Sequence, residues 1–185
     1  LFVAALGNNT VEVIDLQEGK RIQSISGMSK PTGICFLPEK NWIGVANGDK
    51  GDFELIDGAS YKVIKEVDGL DDADNVRFDP ERNLIYVGFG SGGIAIIDPD
   101  KIRKIGEIKL KGHPESFQLE TNGPRIFVNV PDARQITVLD RDKQKVVAEW
   151  STGDLRSNFP MALDEKNGRV FVGCRNGPQL LVIDA

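Results

Sequence analysis

The chain holds one histidine, His113, and it lies two residues from a carboxylate in the run Gly112-His113-Pro114-Glu115. Imidazole is the side chain whose charge changes nearest neutral pH, so His113 is the first residue to weigh as a general base or a ligand. Its plainer reading is a structural hydrogen bond to a carboxylate, with Asp72 as the expected neighbour. Around Asp72 runs an acidic stretch, Asp68, Asp71, Asp72 and Asp74. With Glu115 these offer the oxygen ligands that a hard cation such as Ca²⁺ takes, although their spacing is not that of an EF-hand loop and a solvated acidic loop is the simpler account. Arg156 and Asn158 complete the polar candidates. No strand-turn-helix serine motif, phosphate-cradling glycine loop or paired Cys and His spacing occurs, so motifs give catalysis no support. The expectation is therefore a ligand site made of Asp72, Asp74, His113, Glu115, Arg156 and Asn158, with no catalytic residue, no resident cofactor and Ca²⁺ as the one metal such a set would suit.

These residues are positioned by a repeat. An apolar strand ending in aspartate recurs as Val11-Glu-Val-Ile-Asp15, Phe53-Glu-Leu-Ile-Asp57, Ile94-Ala-Ile-Ile-Asp98, Ile136-Thr-Val-Leu-Asp140 and Leu180-Leu-Val-Ile-Asp184, at spacings of 42, 41, 42 and 44 residues. A second strand precedes each one, as in Trp42-Ile-Gly-Val-Ala-Asn47 and Leu84-Ile-Tyr-Val-Gly88, across glycine- and asparagine-rich turns suited to tight hairpins. A third, alternating strand follows each aspartate, as in Lys145-Val-Val-Ala-Glu-Trp150, and runs to a glycine. A fourth, such as Gly33-Ile-Cys-Phe-Leu37, leads into the next unit. Four short antiparallel strands per 41 to 44 residues is the arithmetic of a β-propeller blade.

The fold class is accordingly all-β: a single, partial propeller over residues 1–185, with repeats at 1–41, 42–83, 84–125, 126–169 and 170–185, about four and a half blades. Each recurrent aspartate is expected to cap the turn to the outer strand by accepting backbone N–H groups. In such a fold the loops entering the inner strands border the central channel. That places Lys30–Thr32, Asp72–Asp74, His113–Glu115 and Ser157–Phe159 at equivalent sites, with Arg156 just before the last.

Composition narrows the partners. Hydrophobic residues at 40% and charged residues at 28% fit a globular chain rather than a disordered one. The net charge of −5 and scattered basic residues argue against nucleic acid. Lys101 to Lys111 is the exception, read as a solvated outer strand whose lysines discourage edge pairing. No apolar run approaches the roughly 20 residues of a membrane span. Cys35 and Cys174, the only cysteines, fall in apolar strands and read as buried thiols.

The pattern of an aromatic or aliphatic residue, Val, two small or polar residues and then Val-x-Val-Ile-Asp resembles the YVTN-type repeat of bacterial and archaeal propeller proteins. Val11–Asp15 and Ile136–Asp140 match it closely, and Tyr86-Val-Gly-Phe89 and Phe127-Val-Asn-Val130 come nearest to its four letters. That resemblance implies a seven-bladed ring, further blades outside this sequence, and export to the periplasm or cell surface. With no catalytic motif present, the expected role is non-catalytic binding or scaffolding, with an unidentified small ligand or protein held by the channel-mouth loops. Seven-bladed lactonases resemble these repeats too. The alternative they imply is a hydrolase with a polar or metal-containing site at the channel.

Overall fold

In the computed structural model, residues 1–185 form eighteen strands joined by turns, with short 3-10 turns at Leu6–Asn8, Pro38–Lys40, Pro131–Ala133 and Glu165–Asn167. The strands assemble into five antiparallel sheets in chain order. The first holds β1 (Phe2–Ala5), β2 (Thr10–Asp15) and β3 (Lys20–Ser26). The second holds β4 (Pro31–Leu37), β5 (Trp42–Asn47), β6 (Asp52–Asp57) and β7 (Val63–Asp68). The third holds β8 (Val76–Asp79), β9 (Leu84–Phe89), β10 (Gly93–Asp98) and β11 (Arg103–Lys109). The fourth holds β12 (Phe117–Leu119), β13 (Arg125–Val130), β14 (Gln135–Asp140) and β15 (Lys145–Ser151), and the fifth β16 (Arg156–Asp164), β17 (Arg169–Asn176) and β18 (Gln179–Asp184). These are propeller blades, each four-stranded one running from inner to outer strand as the repeat predicts.

Burial follows strand position. The two middle strands of the second, third and fourth sheets are buried on both faces, which is why β5, β6, β9, β10, β13 and β14 read as apolar runs rather than clean alternations. Outer strands β3, β7, β11 and β15 are largely exposed, and Arg103, Glu107 and Lys109 on β11 form the solvated charged strand expected there. The chain groups into two compact units, Leu1–Gly90 with Ala95–Gly106, and Ser91–Ile94 with Glu107–Ala185, so β10 and β11 lend residues to both. In the first unit one face of the second sheet packs Phe53, Leu55 and Ala46 with Val76, Ile85 and Val87. Its other face packs Ile43, Val45 and Ile56 with Val11, Val13, Ile25 and Met28. The second unit buries Phe127, Ile136 and Val138 with Val170 and Val172. Each such aliphatic or aromatic side chain removed from water contributes about 1.5–3 kcal/mol. Cys35 and Cys174 are buried free thiols, and burial pushes the Cys35 thiol up to about 12.

The recurrent aspartate closes the turn from the strand it ends to the outer strand in each of the first four blades. Asp15 Oδ1 accepts from the amides of Gln17 and Glu18 at 2.8 and 3.1 Å, and Asp57 Oδ1 from Ala59 and Ser60 at 3.2 and 2.7 Å. Asp98 Oδ1 accepts from Asp100 and Lys101 at 2.9 and 3.1 Å, and Asp140 Oδ1 from Asp142 and Lys143 at 3.0 and 2.9 Å. The fourth residue after each aspartate is left-handed: Gly19, Tyr61, Ile102 and Gln144, with φ of 64°, 58°, 49° and 49°. A second set of aspartates, unremarked in the repeat, does the same at inner-strand ends. Asp79 accepts from Glu81 and Arg82, and Asp164 from Asn167.

Neighbouring inner strands of the first unit come very close. A Cβ on Gly33 would lie 2.1 Å from the Asp74 carbonyl oxygen and 2.8 Å from a Val76 methyl, while Thr32 Oγ1 donates to Ala73 O at 2.7 Å. The inner strand β4 therefore requires glycine at this position.

Gly33→Ala is expected to lower stability by about 1–3 kcal/mol by forcing β4 from β8. Gly7→Ala, where a Cβ meets nothing within 4 Å, should stay within about 0.5 kcal/mol of wild type; paired thermal melts check both. The turn aspartates add a pH dependence. Lys101 and the turn amides hold Asp98 below the usual carboxylate range, and Lys143 and its turn amides hold Asp140 there. Their folded pKa lies below the unfolded one, so their contribution is complete above about pH 4 and is lost as the pH falls further. Asp98→Asn/Asp140→Asn keeps the Oδ1 acceptors but removes the titration, so its melting temperature should fall less steeply than wild type from about pH 4 to pH 2.

Candidate functional site

The loops entering the inner strands are held by backbone bonds from the strand behind them. In the first unit Asp74 N donates to Gly88 O at 2.8 Å, and Gly48 N donates to Lys30 O at 3.0 Å. Lys30 Nζ lies 3.5 Å from Asp49 Oδ1 on the same rim. Asp72 is exposed with φ of 51°, and Asp74, two residues on, is half-buried. Lys30 and Ser157 share that left-handed conformation at the equivalent place. The same conformation recurs at every other kind of turn in the blades, so it reflects turn closure rather than marking a site.

In the second unit His113 and Glu115 share the loop before β12, both half-buried, and Glu115 N donates to Asn129 O at 2.9 Å. Arg156 and Asn158 fall inside β16 rather than in a loop, because that strand begins at Arg156 and is bulged between Asn158 and Met161. Arg156 is exposed opposite Asn176. Asn158 is fully buried, and its Nδ2 donates to Asn129 Oδ1 and Gln135 O, both at 3.1 Å. Asn129 Nδ2 in turn donates to Phe159 O at 2.9 Å. Asn158 thus ties β16 to β13 and β14, and its amide faces protein rather than the loop surface. Beside this network the exposed Arg175 guanidinium stacks 4.2 Å over the half-buried Phe159 ring. This pair was not among the residues singled out from the sequence; its signal would have been cross-strand placement near the β16 bulge.

The acidic stretch divides. Asp68 is the last residue of β7, paired with Asp52 of β6, while Asp71 is exposed against Gly51 and Asp72 begins the next loop. Pairing instead gathers a set the sequence reading did not single out. Asp52 lies opposite Asp68, and Glu54 opposite Glu66, so four carboxyl groups share one face of the β6–β7 ladder. Lys50, in the β5–β6 turn, reaches Asp52 Oδ2 and Glu66 Oε2 at 2.7 Å each and Glu54 Oε1 at 3.3 Å. Hydrogen bonds to Asp52 and Glu66 raise the Lys50 pKa. Burial, reinforced by the Asp52 charge, pushes the Glu54 carboxyl up. Asn47 Nδ2 donates to Asp52 Oδ1 at 2.9 Å and completes the inner end of the layer. Period-two spacing in both strands carried the signal, readable only once the hairpin register is drawn.

The equivalent faces of other blades are polar in their own ways. Glu12 accepts from Thr10 and Ser24 and pairs with Arg21, while Gln135 donates to Thr137 and to Glu149, which Lys111 meets at 2.5 Å.

No family model and no curated protein matches the chain. Among solved structures it is similar to hydrazine synthase of Kuenenia stuttgartiensis, a β-propeller-containing protein, with a TM-score of 0.86 at 16% identity. The match covers 94% of this chain and 51% of that one, so the chain spans about half the length of this structural relative. At that identity the likeness shows the propeller fold. No helix of the chain is long and apolar enough to cross a membrane.

Asn158→Ala removes the donor for two buried acceptors and is expected to cost about 1–3 kcal/mol in thermal or denaturant unfolding. Arg156→Ala, at an exposed position, should leave the unfolding midpoint within about 0.5 kcal/mol of wild type.

Proposed function

We propose that this protein is a non-catalytic binding or scaffold propeller of the YVTN type, exported to the periplasm or cell surface, whose inner-strand entry loops hold a partner protein or small ligand. The observation that carries this reading is the Phe159–Arg175 stack, which joins the start of inner strand β16 to the end of β17 in the second unit. Aromatic rings and arginines are the residues enriched where protein interfaces concentrate their binding energy, and a stacked guanidinium keeps its donors aimed outward for a carboxylate or carbonyl. The polar groups around this stack divide accordingly. Asn129 and Asn158 hold the strands, while Arg156 and Arg175 stand exposed. The propeller fold supports such a role without selecting it, because function lies in sites set on a fold. On this reading no resident cofactor is needed.

A hydrolase of lactonase type is the second reading, and it rests on His113 and Glu115, half-buried two residues apart on one loop. A general base and a carboxylate so spaced are a workable start for activating water.

The two separate in one set of measurements. The protein is expected to show no lactone hydrolysis above buffer; turnover that His113→Ala and Glu115→Ala both abolish would overturn the binding reading in favour of the hydrolase. Affinity capture from a host envelope extract, followed by titration of the captured protein, should show binding weakened at least about tenfold by Phe159→Ala and Arg175→Ala. Binding indifferent to both changes would remove the β16–β17 stack from the reading.

A further inference from the structure

The β6–β7 face holds more negative charge than its lysine balances. Asp52, Glu54, Glu66 and Asp68 bring four carboxyl groups to one ladder, and Lys50 is the cation that meets them. Like charges directly opposite each other on an antiparallel pair repel, and both cross-strand pairs here are acid against acid. Oxygen atoms of Asp52, Glu66 and Asp68 nevertheless lie within 4.8 Å of one another, close enough to meet on a single ion. An independent feature points the same way. Glu54 is 2% exposed, and while its Oε1 faces Lys50, its Oε2 is buried without a hydrogen-bond partner. A buried carboxyl oxygen with no donor is costly, and a cation held at this face would offset that cost.

We propose that this face is a binding site for a hard divalent cation of the Ca²⁺ type, with Asp52, Glu66 and Asp68 as ligands, Glu54 beside them, and Lys50 as the competing occupant. The chemistry is that of oxygen donors only. Carboxylates with no imidazole or thiolate among them select Ca²⁺ over softer metals, and the flexible six to eight ligands that Ca²⁺ accepts suit carboxylates of mixed burial better than the strict octahedron of Mg²⁺. Glu66 and Asp68 lie on the exposed outer strand, which leaves an open side for water to fill the remaining positions. Lys50 can leave. It sits in the turn Gly48-Asp49-Lys50-Gly51, its side chain is 39% exposed, and a flexible four-carbon stem carries its ammonium. The site is distinct from the entry loops proposed to hold a partner, and its test does not depend on them.

The experiment is calorimetric titration of the chelator-treated protein with CaCl₂ and, separately, MgCl₂, with thermal melts in parallel. One Ca²⁺ is expected to bind with a dissociation constant of about 10⁻⁴–10⁻³ M, and Mg²⁺ more weakly. Glu66→Gln and Asp68→Asn, both at exposed positions, should each weaken Ca²⁺ at least about tenfold without disturbing the fold. Lys50→Met, which removes the competitor, should bind Ca²⁺ more tightly than wild type, melt earlier in chelator and regain its melting temperature in Ca²⁺. Absence of Ca²⁺ binding in both wild type and Lys50→Met, or binding unchanged by Glu66→Gln and Asp68→Asn, would overturn the site. Should Lys50→Met fail to fold even with Ca²⁺ present, the two exposed variants decide the matter alone.

Discussion

One carboxylate oxygen accepting two consecutive backbone amides recurs at Asp15, Asp57, Asp98 and Asp140. The turn that each one closes reverses the chain from a buried strand to an exposed one, and the backbone groups freed by that reversal would otherwise lack partners at the edge of the core. With the turn set, the outer strand can pair along the third strand, as β3, β7 and β15 do with one register shift each at corresponding places. Because the blades are short, no strand has enough ladder to tolerate a slipped partner, and a slip of one residue would exchange the two faces. The aspartates therefore decide which side chains of the outer strand face the neighbouring strand's partners, including whether Glu66 meets Glu54.

This dependence explains what could be read from the amino acids alone. The repeat, the four strands per unit, the capping aspartates and the buried thiols are local or periodic properties, and each has a residue type that requires it. Equivalent offsets placed Asp72–Asp74 and His113–Glu115 in the stretches before inner strands, whereas the residues at the same offset in the last repeat, 156–159, lie inside β16. Asn158 was not legible. Its burial follows from a bulge in β16 and from amide bonds to residues more than twenty positions away. Asp68 looked like part of an acidic loop and is instead the end of a strand, where pairing rather than proximity in sequence chooses its neighbours.

The polar layers inside the blades belong to the same class of features. A glutamate at the third position of the aspartate-ending strand is met in the first blade by Thr10, Ser24 and Arg21, and in the second, where other acids surround it, by Lys50. The fourth blade uses threonine there, held by Gln135. Apolar side chains around these positions supply the bulk of the burial, while the polar ones must find partners of matching charge and length. Blades with a common backbone are thereby made chemically distinct from one another.

The left-handed residue four positions after each capping aspartate has a consequence for redesign of the repeats. Only the first blade places glycine there; the others carry Tyr61, Ile102 and Gln144 in a conformation that a side chain makes strained. Ile102 recovers something by packing against the first unit's core, whereas Gln144 is exposed and recovers little. The glycine of one blade is thus a ready-made improvement for another. Copying glycine from the first blade into the fourth would relieve that strain and make the protein more heat-tolerant from within its own sequence.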